Sequence, residues 1–126
     1  MTTAQLRTAP DEEAVAITEV FFGAAEHLGL TAKQESQILG VSESTISRRK
    51  SAPTFLSKNQ SRQWESAILF IRMYRSLRVI VNNQTKEKIW LNSYNHALHG
   101  IPLDLMQSME GLINVVKYLD FNRGGF

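Results

Sequence analysis

Apolar residues recur along this chain at spacings of three and four, with turn-forming residues between the runs, a rhythm that predicts helices throughout. Over residues 11–28, Ala14, Ile17, Phe21, Ala25 and Leu28 form one stripe. Acids at Asp11, Glu12 and Glu13 suit its N-terminus, and Gly29 suits its end. Thr31 caps a second helix and Gln34 completes a capping box; Ile38 and Leu39 turn inward before Gly40 breaks the helix. Val41 packs down, Ser42 caps a third helix reaching about residue 50, Ile46 is its buried anchor, and Pro53 ends the unit.

A long helix is predicted over residues 57–81, opened by a second capping box, Ser57 with Gln60. It carries two stripes, one of Trp64, Ile68, Ile71 and Tyr74 or Arg75, the other of Phe70, Met73, Leu77 and Ile80. Two stripes need cover on two sides. Either the helix is central and wholly buried within one chain, or one stripe meets a second chain, with Phe70, Met73, Leu77 and Ile80 as the dimerisation candidates. Asn82 and Asn83 make a turn, and Thr85 caps a helix through about residue 92 carrying Ile89, Trp90 and Leu91. A break at His99, Gly100, Ile101 and Pro102 follows, with Pro102 first in a short helix reaching residue 106. Ser108 caps the last helix, which buries Leu112, Val115, Val116 and Leu119. No run alternates as a strand would, so the expected fold class is all-α. Residues 1–10 are polar, end at Pro10 and are expected to be disordered.

With 126 residues, 43% of them apolar, the chain can build one compact core or two small units sharing one. The absence of cysteine excludes disulfides, thiolate catalysis and Cys-based zinc sites. No apolar run approaches the roughly 18 residues that span a bilayer, and the N-terminus lacks the apolar segment of a secretory signal. The expected location is the cytoplasm, without membrane contact. A net charge of +2 conceals a gradient. Residues 1–30 hold one basic against five acidic residues, whereas residues 31–62 hold six basic against two acidic. That excess coincides with the second and third helices, where phosphate contacts would need it.

Residues 31–50 have the form of a helix-turn-helix unit, whose second helix enters the DNA major groove. With Ile46 turned inward, the opposite side presents Ser42, Ser44, Thr45, Ser47 and Arg48 to base edges or phosphates, while Arg49 and Lys50 suit phosphate. Arg48 is the strongest candidate, and Ser42 is either a cap or a DNA contact. Glu35 and Arg49 stand where many such units are apolar. Arg72, Arg75 and Arg78 recur every third position, a row suited to DNA, to an acidic partner or to solvent. His96 and His99 lack a third ligand at metal-site spacing, Asp104 and Glu110 read as helix-end residues, and no Gly-rich phosphate loop is present. The expectation is a protein that is not an enzyme, with no cofactor and no metal.

The C-terminal half adds a pattern: Trp90-Leu91, then Asn95, Ala97, Leu98, Gly100, Pro102, Leu105 and Met106, then Glu110-Gly111, Val115, Tyr118 and Leu119. It resembles the C-terminal domain of Xre/MbcA/ParS-type antitoxins. Leu39-Gly40-Val41-Ser42 with Ser47, Arg48, Arg49 and Lys50 resembles the family's Xre-like DNA-binding domain, and Leu56-Ser57 with Ser61-Arg62 its linking segment. The resemblance implies four parts: a disordered N-terminus over 1–10, a helix-turn-helix region over 11–54, a linking and dimerisation helix over 55–84, and a toxin-binding domain over 85–126. It also implies an antitoxin that blocks a RES-domain, NAD-degrading toxin and represses its own operon by binding operator DNA. Such a protein acts as a homodimer within a larger toxin–antitoxin complex. In that family the chain's end often approaches the toxin's pocket, which makes Asn122, Arg123, Gly124, Gly125 and Phe126 the toxin-binding candidates. An Arg on a flexible, Gly-containing end would take the place of the dinucleotide's phosphates. The alternative is a stand-alone helix-turn-helix regulator whose C-terminal domain only dimerises.

Overall fold

The computed structural model describes residues 11–49 and 51–124, and among these it contains seven α-helices and no strand. The expectation for residues 1–10 falls outside the described residues. Helix α1 (Glu12–His27) starts where the Asp11 carboxylate accepts from the backbone N–H groups of Glu13 and Ala14, at 3.0 and 3.2 Å. It stops in a Schellman turn, Leu30 N–H donating to Ala25 O at 2.9 Å around Gly29. Helix α2 (Ala32–Leu39) opens with the expected capping box: Gln34 N–H donates to the Thr31 hydroxyl and Thr31 N–H to the Gln34 side chain. Gly40, at φ 75°, closes it in the left-handed region. Helix α3 (Glu43–Arg49) follows at once.

The long helix α4 (Ser61–Ile80) begins four residues later than the sequence suggests. Gln60 N–H donates to Ser57 O in a turn, and no side chain caps the helix, so Ser57 with Gln60 is not a capping box. The reason lies just upstream. Phe55 and Leu56 are buried in the core, and Leu56 N–H donates to the Thr18 hydroxyl at 3.1 Å, holding the segment against α1 as a loop. Lys58 reinforces the tie with an exposed ion pair to Glu13, whose hydrogen bond and then charge raise the lysine's pKa.

Helix α5 (Gln84–Asn92) is capped by Asn83, which accepts from Lys86 N–H at 2.9 Å, and not by Thr85. Helix α6 (Pro102–Leu105) starts on Pro102, and α7 (Met109–Gly124) is capped by Ser108, whose hydroxyl accepts from Gly111 N–H at 3.0 Å. An isolated bridge between Asn95 and Gly100 closes the loop before α6.

Helix α4 is the centre of the molecule, packed most extensively on α7, then on α1 and α2. One continuous core runs from Phe21 of α1 and Leu28 just past its end through Phe70, Met73 and Leu77 to Leu112, Val115 and Leu119 of α7. The Phe21 and Phe70 rings meet at 5.1 Å. Burial of each such side chain contributes about 1.5–3 kcal/mol. This geometry corrects the dimerisation assignment. Phe70, Met73 and Leu77 are filled over by the chain's own α1 and α7, so none is available to a second chain; only Ile80 of that set stays partly exposed. The stripe left half-open is the other one, where Ile68 is 38% exposed.

A polar cluster ties α5 to the rest. Glu87, fully buried, accepts from the Arg78 guanidinium at 3.0 and 3.1 Å, and His27 lies 3.4 Å from the same carboxylate. Such a buried carboxylate requires its partners, because an unpaired one would suffer the full desolvation penalty.

Candidate functional site

Helix α3 has only seven residues, too few to be stable without tertiary support. Its support is Ile46, fully buried against Ile38 and Leu39 of α2 in the common core. Ser36 is small and buried at the crossing, its hydroxyl turned back onto Lys33 O at 2.7 Å, so the two helices approach closely. Glu35, at an apolar position of many such units, is also buried.

Opposite Ile46, Ser44, Ser47 and Arg48 are exposed and Thr45 is half-buried. Ser42 is occupied at the helix start. Its hydroxyl accepts from Thr45 N–H at 3.1 Å and shares hydrogen bonds with the Ser44 and Thr45 hydroxyls at 3.2 and 2.8 Å. Arg49 closes α3, and Lys50 lies outside the described residues. Arg62, at the start of α4, reaches the α2–α3 turn: a methyl group built on Gly40 would meet its guanidinium carbon at 3.3 Å. The outer surface of the unit therefore combines short hydroxyls with Arg48 and Arg62. Sequence reasoning had not placed Arg62 there, because the contact is made across the fold.

The arginine row on α4 divides three ways. Arg72 pairs with Asp120, Arg78 with Glu87, and Arg75 is exposed without an ion pair among the described residues.

Three of the C-terminal candidates lie on a helix and not on a loose end. Asn122, Arg123 and Gly124 continue the last turn of α7, where the Arg123 guanidinium donates to the Ser76 hydroxyl at 3.4 Å; Gly125 and Phe126 fall outside the described residues. The helix persists because Asp120, about one turn before the Gly124 end of α7, is anchored to α4 by Ser76 and Arg72. His96 packs edge-on against Tyr94 at 5.1 Å, and no group of three His, Cys, Asp or Glu among the described residues is placed to hold a metal ion.

The C-terminal motif residues have structural work to do. Trp90 stacks on Tyr118 at 6.4 Å with rings 13° from parallel, which joins α5 to α7. Gly111 lets α7 start against the end of α6. Around them lies a groove of about 370 Å³ lined by Val81, Lys86, Trp90 and Asn95, with Ile89 and Tyr94, 59% and 58% exposed, on its rim. Sequence reasoning had treated Ile89 as an ordinary apolar position and missed the groove, since it forms only when Val81 and the loop at residues 93–95 come together on either side of α5.

No helix among the described residues is long and apolar enough to cross a membrane. Compared with known proteins, residues 7–72 match the antitoxin Xre-like helix-turn-helix domain, and residues 76–125 match the antitoxin Xre/MbcA/ParS C-terminal toxin-binding domain. No curated protein matches the chain. Antitoxin and helix-turn-helix families of this kind are typically non-enzymatic. The first match alone spans more than half of the chain and the second takes up most of the remainder, so the chain belongs to the Xre-type antitoxins of toxin–antitoxin systems.

Proposed function

We propose that this antitoxin blocks a cognate RES-domain toxin and represses its own operon by binding operator DNA, as a homodimer in the cytoplasm and without catalysis of its own. In this reading residues 11–54 meet DNA, 55–84 link and dimerise, and 85–126 engage the toxin. The observation that carries the DNA half is the two-sidedness of α3: Ile46 is fully buried while Ser44, Ser47 and Arg48 on the other side are exposed. Arg48 has the reach and the donors for a guanine edge, worth about 1–3 kcal/mol of discrimination. Ser44, Thr45 and Ser47 add shorter contacts, Ser42 serves as the cap, and Arg49 and Lys50 add phosphate attraction. On the toxin half, the groove beside Trp90 supplies an apolar docking surface of the kind that partners cover. The role of Asn122, Arg123, Gly124, Gly125 and Phe126 in this reading is to occupy the toxin's anionic-ligand pocket, Arg123 exchanging its Ser76 contact for the pocket.

Gel retardation with the DNA upstream of the gene tests the first half. Binding is expected to weaken steeply as salt rises, because phosphate contacts release counterions. Arg48→Ala is expected to lower specific affinity by about tenfold or more while leaving toxin co-purification intact; an unchanged shift would sink the assignment. Co-expression with the neighbouring toxin tests the second half. Growth rescue and co-purification are expected, and Tyr94→Ala or Arg123→Ala should weaken both. A toxin that neither co-purifies nor is neutralised overturns the toxin-binding reading.

A further inference from the structure

Arg62 is the second residue of α4, in the turn of a helix where the backbone dipole favours acids and opposes cations. No acid stands in that first turn to offset it, and the exposed Arg62 has no ion pair among the described residues. Its side chain is nevertheless fixed. Nε donates to the hydroxyl of Ser66, fully buried four residues on, at 3.3 Å. The guanidinium also lies against Gly40, in the turn between α2 and α3. A Cβ built on that glycine would stand 3.3 Å from the central guanidinium carbon and 3.5 and 3.6 Å from the two terminal nitrogens. Such nearly equal distances belong to a point directly above the carbon, so the guanidinium plane lies flat over the glycine.

The guanidinium thus commits one face to Gly40 and its Nε edge to Ser66. The N–H groups of its two terminal nitrogens lie in the plane and meet no acceptor in the chain among the described residues. That fork is the geometry that grips two oxygens of one anion, and a fork already fixed loses little freedom on binding. Its place identifies the anion. Gly40 is two residues before Ser42, and α3 starts at Glu43, with Ser44, Ser47 and Arg48 exposed beyond it. A helix inserted in the major groove has phosphates along both walls, and a residue at the turn into that helix meets a wall before it meets a base.

We propose that Arg62 holds one backbone phosphate of the duplex, forked across two of its oxygens, and so sets the register at which α3 enters the groove. The inference rests on the DNA reading given above and adds to it a contact made from α4, outside the helix-turn-helix segment. Unlike the contact assigned to Arg48, it carries no base preference.

Gel retardation of the full chain tests this, with the upstream DNA and with an unrelated duplex of equal length, each over a salt series. Circular dichroism verifies that each variant is folded. Arg62→Ala is expected to lower affinity for both duplexes by a similar factor, about tenfold, and to reduce the slope of log affinity against log salt by about 1. Arg62→Lys, which keeps the charge, should keep that slope. Ethylation of the DNA phosphates gives a second reading: one phosphate should exist whose ethylation weakens the unaltered chain and leaves Arg62→Ala indifferent. An unchanged salt slope in Arg62→Ala overturns the proposal, and so does a loss confined to the upstream DNA, which would make Arg62 a base contact. Upstream DNA that still shifts with the unaltered chain and with Arg62→Ala alike overturns this contact and leaves the DNA reading standing. An unaltered chain that shifts neither duplex overturns both. Arg62→Ala that loses toxin co-purification at full DNA affinity assigns the fork to a toxin carboxylate, and likewise overturns the inference.

Discussion

At Gly111 the first turn of α7 passes so close to the end of α6 that a Cβ would lie 1.8 Å from the carbonyl oxygen of Leu105. That neighbour is backbone and cannot step aside, so a side chain there must push two helices apart. Gly111→Ala is therefore expected to destabilise the fold by about 1–3 kcal/mol, read as a lower urea midpoint; an unchanged midpoint would mean that the crossing is slack. Gly23 makes the opposite case. It is exposed within α1, and nothing lies within 4 Å of its would-be Cβ. Gly23→Ala should raise stability by about 0.5–1 kcal/mol through helix propensity alone. Two substitutions identical in chemistry thus carry opposite signs, decided by what stands beside the α-carbon.

Among the elements, α3 depends most on its neighbours. Ile46→Ala removes the plug that fixes its rotation, at a cost of about 2–5 kcal/mol, and is expected to abolish gel retardation although no DNA-facing atom changes. Full DNA affinity in a folded Ile46→Ala protein would show that something else aims the helix. Ile46 was legible in the sequence because its cap, its period and the glycine before it lie within ten residues. The same holds for Thr31 with Gln34 and for Ser108, whose partners are three positions away. Ser57 with Gln60 spelled the same motif but did not form it, because the burial of Phe55 and Leu56 and the hydrogen bond to Thr18 come from 38 residues away. Thr85 lost the cap to Asn83, whose extended backbone at φ −157° already presents its side chain to Lys86 N–H. Which stripe of α4 would be buried was not written in α4 at all. Both are apolar, and the choice is made by α7, which arrives some 40 residues later in the chain. Arg78 read as one of a row facing DNA, an acidic partner or solvent for the same reason: besides Glu87 it meets His27, 51 residues away. Arg123 was expected on a loose end, and the contacts that extend α7 to it come from Ser76 and Arg72.

For the whole molecule, the decisive fact is that both family matches end inside one helix. Residues 7–72 stop and residues 76–125 start within α4, and a single core passes through it from Phe21 to Leu119. Two matched segments that share a helix and a core are expected to unfold as one unit, in a single cooperative transition. The two tryptophans report on this from different places: Trp64 on α4 beside the groove to α7, Trp90 on α5 stacked on Tyr118. Urea curves from Trp64→Phe and Trp90→Phe variants, each followed by the remaining tryptophan and by the helical circular dichroism, should have coincident midpoints; separated midpoints would mean two independent cores. The coupling has a functional consequence. A partner that binds only the folded state stabilises it in proportion to the logarithm of its concentration over Kd. In a one-core protein, toxin held at the C-terminal segment must therefore raise the midpoint sensed at Trp64 as much as the one sensed at Trp90. Helix α3, proposed above to read DNA and marginal without the core behind it, then gains persistence from a ligand that binds elsewhere. A toxin that shifts only the Trp90 curve would break that link and leave the two ends of the antitoxin energetically separate.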